Sequence, residues 1–550
     1  MKPFLLSLNL FLASIPYEYI FENPESYNQN NGLQSNMIID IQSLNNTILL
    51  SSSNGLGYSS SSDGGFIFSH FENDNLPEGG NPAMIVRDDI IVVSGSVTVL
   101  DLDSYYPAGT GVSYSLDSGS TWKHMNQPVD PMPTLWSCSQ YSYDTLFFNN
   151  KEECELSCLN CNGESGSCAR LYNFIDWGNQ SEIAHLSITT SINNISYDLD
   201  INGDYIYSTS WAGGLRRFNY TLLEPIWESV PLPLDSQDEL ICGNIDLDSY
   251  QLNPVGDCGS DYDNHKPFSV LSVNDTIWVG TAAGINKGIV SGDCIDWTHL
   301  RSYEYGFYDD WIIGFEDQEL NDGSNRIWAI TWDKETQGNV GPPSFSDDGG
   351  ENWSFSSQLV DLGVKTYNIS FNGDYIYLAT DQGMFLSQDG NFWEKFNNFI
   401  DYESEEQILS DVVYDAKVID NNLWVGTQDG IAISSNVINP NWDVYRFWED
   451  DILFSAYPNP FLRDMHNILN SEGHIRFVSD SQNLNASIDI FDFSMDKIIT
   501  LESPIITNNQ IEFIWNGDSE FGSKVNNGIY FCRLNDSGNN KWVKVAVLGN

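Results

Sequence analysis

A short motif recurs seven times along this 550-residue chain, and its spacing constrains the fold more than any other feature of the sequence. The motif is Asn or Asp, any residue, Ile or Leu, an apolar or aromatic residue, two further residues, and then Ser or Thr. Turn-forming residues followed by a β-branched and aromatic run are typical of a β-strand that begins after a tight turn. The copies are Asn46–Ser52, Asp88–Ser94, Asp204–Ser210, Asp275–Thr281, Asn325–Thr331, Asp374–Thr380 and Asn421–Thr427.

The distances between these copies predict the architecture. Their last residues lie 42, 116, 71, 50, 49 and 47 positions apart, and a period of about 40 to 50 residues with several strands per repeat is typical of a β-propeller. We therefore predict an all-β fold, with a seven-bladed β-propeller over residues 17–452. An eighth blade stays open, because Asp144–Asn150 half-fits the motif. The two long steps predict Cys-containing insertions near residues 127–195 and 231–265.

The charge of the chain restricts its partners. Asp and Glu number 77 against 23 Lys and Arg, which gives a formal net charge of −54. Such a charge repels other polyanions, so we expect no nucleic-acid partner and no attraction to anionic membrane surfaces. The charge favours solubility in a salty medium, and a cation-binding surface is the alternative interpretation.

The first residues predict export. Lys2, the apolar run Phe4–Ala13 and the small residue Ser14 have the pattern of a secretory signal peptide over residues 1–16. The run is too short to cross a bilayer, and no later segment is apolar for long enough, so we expect no transmembrane segment. The sequence therefore predicts a protein that is secreted or attached to the outer surface.

The chain has nine cysteines, and an exported protein meets an oxidising compartment. Zinc is the alternative for the closely spaced ones, but the cluster has no second Cys-x-x-Cys and no His between Cys138 and Cys168. Pairing cannot be deduced from sequence alone, and Cys532 is expected to stay unpaired. The disulfide candidates are Cys138, Cys154, Cys158, Cys161, Cys168, Cys242, Cys258 and Cys294.

Four segments match or nearly match the pattern S-x-D-x-G-x-T-W. Residues 115–122 fit it throughout, 346–353 have Asn for Thr, 61–68 have Phe for Trp, and 387–393 lack one position. The chain therefore resembles the Asp-box (BNR-like) repeat propellers, a family that includes sialidases, xyloglucanases, sortilin-type receptors and many non-enzymes. The resemblance implies that the motif residues hold hairpins together, away from any active site. They are Ser61, Asp63, Gly65, Ser115, Asp117, Gly119, Trp122, Ser346, Asp348, Gly350, Trp353, Ser387, Asp389 and Trp393.

The last hundred residues carry a second resemblance. Tyr457–Phe461, Ile514–Asp518 and Gly528–Phe531 occur in the order found in the flagellar hook-capping-type immunoglobulin-like module, which is a C-terminal sorting domain of type IX secretion substrates. Short alternating strands separated by Gly, Asn and Asp turns independently predict a β-sandwich. The resemblance implies that residues 453–550 form an Ig-like domain and engage the secretion machinery.

One segment imitates a calcium loop. Asp198, Asp200 and Asn202 have the spacing D-x-D-x-N-G, but the twelfth position is Thr209 where an EF-hand has Glu. This set is a weak Ca²⁺ candidate, and we expect no other cofactor. The same turn, without the acids, recurs at Asn372-Gly373-Asp374, which explains the turn without a metal.

Every motif that the sequence offers concerns scaffold or export. We therefore predict a secreted or cell-surface, non-catalytic binding or adhesion propeller, with a glycan or an extracellular protein as ligand. The alternative is a secreted glycoside hydrolase of the Asp-box propeller type that acts on an environmental glycan. Such an enzyme needs only two suitably spaced carboxylates, and the sequence does not single out such a pair among 77 acids. The catalytic residues of that alternative are therefore unknown.

Overall fold

The computed structural model describes residues 32–62, 65–101, 104–138, 148–158, 168–254, 262–320, 322–335, 338–447, 453–507 and 510–549. The expected signal peptide at 1–16 lies outside these ranges. Regular structure in the described residues is almost entirely β-strand, and the helices are short: α1 (Lys151–Ser157), α2 (Ser302–Tyr305), α3 (Ser357–Leu362) and a single 3-10 turn at Asp263–His265. None of these helices is long and apolar enough to cross a membrane.

The chain is a β-propeller followed by a two-sheet β-sandwich. The first strands of the propeller are β1 (Ile38–Leu44), β2 (Thr47–Ser52), β3 (Gly55–Ser62), β4 (Gly65–His70), β5 (Met84–Arg87), β6 (Ile90–Asp101), β7 (Ser104–Ser115), β8 (Lys123–Met125), β9 (Leu135–Cys138), β10 (Cys168–Trp177), β11 (Gln180–Leu186), β12 (Asp198–Asn202), β13 (Tyr205–Ser210), β14 (Gly214–Asn219), β15 (Glu228–Ser229), β16 (Glu239–Leu240) and β17 (Gln251–Leu252).

The propeller continues with a second series of strands. These are β18 (Pro267–Val273), β19 (Thr276–Thr281), β20 (Gly284–Ser291), β21 (Cys294–Leu300), β22 (Trp311–Glu319), β23 (Asn325–Trp332), β24 (Pro343–Ser346), β25 (Ser354–Phe355), β26 (Thr366–Asn372), β27 (Tyr375–Thr380), β28 (Gly383–Ser387), β29 (Glu394–Phe396), β30 (Val413–Ile419), β31 (Asn422–Thr427), β32 (Gly430–Ser434) and β33 (Asp443–Tyr445).

Contacts divide the chain into two compact units. One contains Glu72–Thr366 and Gly390–Phe392, and the other contains Tyr367–Asp389, Trp393–Asn550 and the described part of Pro24–Phe71. The first unit therefore holds the sheets from β5 to β25. The second unit holds β1–β4, β27–β33 and the C-terminal sandwich.

The repeated motif forms the second strand of an antiparallel four-stranded meander in every one of its seven copies. The meanders are β1–β4, β5–β8, β12–β15, β18–β21, β22–β25, β26–β29 and β30–β33, and β16 extends the fourth of them beside β21. In the five strands β2, β13, β19, β27 and β31, every residue after the first of the strand is buried, on both faces. A strand covered on both faces needs apolar residues on both, which explains why the apolar residues of the motif do not alternate with polar ones. The number of blades stays a prediction.

The long first insertion folds into a sheet of a different kind. Strands β9, β10 and β11 are antiparallel, but β17, which comes from the second insertion, adds to β11 in parallel. Strand β12 nevertheless contacts β5 and β6, so the inserted sheet does not separate the meanders that flank it in sequence. Arg87 joins them, because it binds the Asp200 carboxylate at 2.9 Å.

The C-terminal sandwich packs two sheets around one apolar core. Its strands are β34 (Ser455–Tyr457), β35 (Phe461–Leu462), β36 (Ile475–Ser479), β37 (Ser487–Phe491), β38 (Lys497–Leu501), β39 (Ile505–Thr507), β40 (Gln510–Trp515), β41 (Gly528–Asp536) and β42 (Asn539–Leu548). One sheet has the order β34-β36-β40-β39 and the other β35-β42-β41-β37-β38. Phe477, Phe513 and Ile488 meet in the core. Cys532 is free and buried there, as expected.

Candidate functional site

The segment that fits the Asp-box pattern throughout forms a hairpin closed by its own side chains. Ser115 Oγ accepts the backbone N–H of Gly119 at 2.8 Å and donates to Asp117 Oδ1 at 2.8 Å. Asp117 in turn accepts the N–H and the hydroxyl of Thr121, each at 2.7 Å. Trp122 is buried and donates its indole N–H to the Gly119 carbonyl. The side chains satisfy the backbone of a tight turn, as Asp and Ser commonly do.

The second near-match repeats this arrangement. Ser346 Oγ accepts the N–H of Gly350 at 2.9 Å, and Asp348 accepts the N–H of Asn352 at 2.9 Å. The side-chain and backbone hydrogen bonds from Asn352 lower the pKa of Asp348 to about 2. Trp353 is buried and meets Trp278 edge to face, with ring centroids 6.3 Å apart.

The other two segments are less complete. Ser387 donates to Asp389 at 3.3 Å, and Trp393 is buried. Ser61 and Gly65 lie on β3 and β4, but Asp63 lies outside the described residues.

Each of the two insertions contains a cysteine that forms a disulfide bond. Cys154 of α1 bonds to Cys168 at the start of β10, and Cys242 bonds to Cys294 at the start of β21. The second bond therefore ties the second insertion to the β18–β21 meander. Cys158 is also disulfide-bonded. Cys161, Cys258 and the side chain of Cys138 lie outside the described residues.

The calcium candidates Asp198, Asp200 and Asn202 connect β12 to the next meander by hydrogen bonds. All four carboxylate oxygens of Asp198 and Asp200 accept hydrogen bonds, among them those from the backbone N–H groups of Val270 and Ser272 on the next meander. Asn202 donates to Ser272 Oγ at 2.7 Å. Burial raises the pKa of Asp200 to about 6, although the charge of Arg87 opposes the shift. In the described part of the chain, no group of three or more His, Cys, Asp or Glu side chains is placed to hold a metal ion.

A carboxylate pair that the sequence did not single out joins β1 to β30. Asp40 lies close enough to Asp415 for its charge to raise the pKa of that residue. Asp415 also accepts the N–H of Ile41 at 2.8 Å and the amide of Asn368 at 3.1 Å. Burial raises the pKa of Asp415 to about 7, and the nearby charge of Lys417 opposes the shift. The pair lies between strands and lines none of the three cavities described below.

A second group that the sequence did not single out lies between the last meander and the sandwich. Arg446 binds Glu406 and, at 3.0 Å, Glu512 of β40, while Arg476 of β36 binds Glu512 at 2.7 Å and Asp429 at 2.6 Å. The five side chains are at most 1% exposed. Burial alone would raise the pKa of Glu512, but the charges of Arg446 and Arg476 lower it to about 2. We call these five residues the Arg446 cluster.

Three half-open cavities lie in the second unit. The largest has a volume of about 640 Å³ and is lined by Asp381, Gln382, Lys395, Asn397, Asp411, Asp464, Ile468, Asn470 and Ser471. A second, of about 260 Å³, is lined by Lys395, Phe396, Asn397, Asn398, Ile400, Tyr402, Pro440, Asn441 and Trp442. The third, of about 300 Å³, is lined by Gly65, Asp401, Ser404, Asp443, Val444, Tyr445 and Arg446.

Two of the carboxylates that line these cavities, those of Asp401 and Asp411, accept hydrogen bonds from the chain itself. Asp411 accepts the N–H of Asn470 at 2.7 Å and the side-chain amide of Asn397 at 3.2 Å. Asp401 accepts the N–H of Glu403 at 2.8 Å and the hydroxyl of Ser404 at 2.6 Å. Both carboxylates therefore fix the loops that carry them.

Comparisons with known proteins yield similarity only at the level of solved structures, since no family model and no curated protein matches. A structure of PorZ, described as a surface component of the type IX secretion system of Porphyromonas gingivalis, is 14% identical, covers 94% of this chain and 66% of that chain, and has a TM-score of 0.32. YCF48 from Cyanidioschyzon merolae is 13% identical over 73% of this chain and 96% of that chain, with a TM-score of 0.37.

A third structure is the extracellular domain of a putative hybrid two-component system, BT3049, from B. thetaiotaomicron. It is 11% identical, covers 96% of this chain and 86% of that chain, and has a TM-score of 0.25. The chain thus spans just under two thirds of the PorZ chain and most of the other two.

Proposed function

We propose that this chain is a secreted or surface-attached, non-catalytic protein that binds an extracellular glycan or protein. The observation that carries the proposal is the state of the cavity carboxylates. Asp401 accepts hydrogen bonds from Glu403 and Ser404 of its own loop, and Asp411 accepts them from Asn397 and Asn470. These bonds engage both oxygens of each carboxylate, which favours a structural role for the two residues over proton exchange with a substrate.

Export supports the same proposal. The bonds Cys154–Cys168 and Cys242–Cys294 form in oxidising compartments, which agrees with the signal-peptide pattern at residues 1–16. We propose that residues 453–550 are the part that a type IX-like system recognises. In a host that lacks that system, the full-length chain should accumulate in the periplasm. Its appearance in the medium of such a host would count against the sorting role.

We propose a scaffold role for the Asp-box-like hairpins. The side-chain hydrogen bonds of Ser115 and Ser346 stay within each turn, and Trp122 and Trp353 are buried, so these groups serve the hairpins. This proposal is consistent with a binding surface that lies elsewhere on the chain.

The binding proposal is tested with purified full-length protein. We expect retention of a ligand on an array of glycans and extracellular proteins, without release of smaller products. If the protein hydrolyses a retained polysaccharide, new reducing ends will appear. That result would contradict the non-catalytic function.

One observation favours the glycoside hydrolase as a second candidate. Asp401 and Asp443 line the same cavity beside Tyr445, and their pKa values shift in opposite directions. Burial and the nearby Asp401 raise the pKa of Asp443, whereas hydrogen bonds from Ser404 and the backbone outweigh burial and lower that of Asp401. Paired acids with divergent pKa values are typical of acid–base catalysis. If this candidate is right, Asp443→Asn abolishes a measurable turnover while Asp361→Asn, at an exposed site in α3, preserves it.

A further inference from the structure

Two of the cavities are neighbours. The cavities of about 640 and 260 Å³ share Lys395 of β29 and the adjoining Asn397 as a common wall. The larger cavity lies within the range of about 300 to 1,000 Å³ that is usual for ligand sites, and the smaller one lies just below it. We call this combined space the β29 groove.

The C-terminal sandwich completes one side of the groove. Asp411, from the propeller, accepts the N–H of Asn470 at 2.7 Å, and its own N–H donates to the carbonyl of Ile468 at 2.6 Å. Asn470 and Ser471 both have left-handed backbones, with φ of +54° and +67°. Asn adopts this conformation more readily than most residues, and here it forms a tight turn. The turn is thus held against the propeller in a shape that exposes its polar groups to the groove.

The lining of the groove suits a polyhydroxylated ligand. Asn397, Asn441 and Asn470 bring amides, which can both donate to and accept from sugar hydroxyls. Tyr402 leaves 74% of its surface exposed at the smaller lobe, where its ring can stack on the apolar face of a sugar. Polar groups that fix orientation beside an aromatic surface are the usual composition of such a site.

The charges of the lining restrict the ligand further. Asp381, Asp411 and Asp464 face a single cation, Lys395, and the chain as a whole carries −54. Like charges repel across a partly desolvated groove, so polyanions such as uronic-acid glycans are disfavoured. A neutral glycan meets no such penalty, and an amino sugar gains attraction.

We propose that the β29 groove binds a neutral or amino-substituted oligosaccharide, and that the segment Asp464–Ser471 of the sandwich forms part of the site. This inference rests on the proposed binding function and adds to it the ligand class and a role for the sandwich apart from export. Tyr402 is the contact most accessible to mutation, because it is exposed and its removal leaves no buried cavity.

The test measures affinity of full-length protein for neutral, amino and uronic-acid oligosaccharides by calorimetry. We expect binding of the neutral or amino glycans, and a loss of at least tenfold in affinity for Tyr402→Ala and for Asn441→Ala. The matched controls are Tyr105→Ala, at a tyrosine 75% exposed on β7, and Asn485→Ala, at an exposed Asn of the sandwich. Both controls should stay within twofold of the parent protein.

The outcomes separate this inference from the function on which it rests. Glycan binding that the groove variants leave unchanged overturns the groove while the binding function stands. Preferred binding of uronic-acid glycans, or of no glycan at all by a protein that retains an extracellular protein ligand, overturns the ligand class. Release of new reducing ends that stops in Asp443→Asn contradicts the non-catalytic function, whatever the groove variants do.

Discussion

Asp415 illustrates how one buried side chain can make stability depend on pH. Burial, with a further contribution from the charge of Asp40, raises its pKa to about 7. In the unfolded chain an aspartic acid titrates near 4. The folded state therefore binds the proton more tightly, so the contribution of Asp415 to stability is full below about pH 4. That contribution is lost as the pH rises through about 7.

Because the pKa of Asp415 is raised in the folded protein, replacing Asp415 should change how stability depends on pH. Raising the pH from 5 to 8 should cost Asp415→Asn less free energy of unfolding than it costs the parent protein, by on the order of 2 kcal/mol, because the amide cannot ionise. Urea unfolding at the two pH values measures the difference. Asp361→Asn, which removes one exposed charge from α3, serves as the control for the net charge. An equal pH dependence in Asp415→Asn and in the parent protein would refute the raised pKa of Asp415.

Ser346 is a second single residue whose replacement should change stability. Its buried hydroxyl accepts the N–H of Gly350 and donates to Asp348. Ser346→Ala leaves that buried N–H without its acceptor, which should lower the free energy of unfolding by about 1 to 3 kcal/mol. Ser354→Ala, at an exposed position of β25 nearby, should change it by less than about 0.5 kcal/mol. Equal effects of the two substitutions in urea unfolding would argue against the hairpin role.

At the scale of elements, the motif strands were predictable and the inserted sheet was not. All seven copies of the motif form the second strand of a meander. They were predictable because the turn residues directly precede the apolar residues of the buried strand in sequence. The parallel pairing of β17 with β11 joins Gln251 to Ala184. No local pattern encodes such a pairing, since it depends on how two insertions pack against each other. The disulfide residues were likewise recognisable, but not which Cys pairs with which.

The second insertion should depend on its disulfide. Cys242–Cys294 closes a segment of 52 residues, and a bond across such a length stabilises by about 3 to 4 kcal/mol when it limits the unfolded chain. Cys242→Ser together with Cys294→Ser should lower the thermal midpoint of unfolding. A reductant should then lower this midpoint less than it does in the parent protein. The sulfur atom of Cys532 is buried and free, so Cys532→Ser provides a variant in which the disulfides stay intact. A double variant as stable as the parent protein would show that this disulfide does not stabilise the fold.

At the scale of the whole molecule, the Arg446 cluster makes the sandwich part of the same folded body as the last meander. Its side chains come from both, and each Arg binds two carboxylates. Breaking a buried pair leaves a charge without compensation. The cluster and the Asp40–Asp415 pair escaped prediction for the same reason: their members are far apart in sequence, and no single segment has an unusual composition.

The cluster predicts contrasting effects of two substitutions. Arg446→Met leaves Glu406 and Glu512 facing each other and should destabilise the protein by about 3 to 5 kcal/mol. Glu406→Gln should cost much less, because the cluster holds three acids against two arginines and burial already raises the pKa of Glu406. Urea unfolding compares them. A Glu406→Gln variant as unstable as Arg446→Met would contradict this account of the charges.

Removing the sandwich should have a similar consequence. Deletion of Ser455–Asn550 takes away Arg476 and Glu512 and should lower the unfolding midpoint of the remaining chain. An export defect in such a deletion would therefore mix misfolding with loss of a sorting signal, which is why the export test uses the full-length chain. A truncated chain with the midpoint of the parent protein would show that the cluster is dispensable.

The central claim is that this propeller binds its extracellular ligand and leaves it intact. Full-length protein incubated with a mixture of oligosaccharides and then recovered should carry a ligand whose mass equals that of the starting material. The free pool should contain no new reducing ends. Shortened oligosaccharides, whose formation stops when Asp443 is replaced by Asn, would contradict the claim and identify the chain as a glycoside hydrolase.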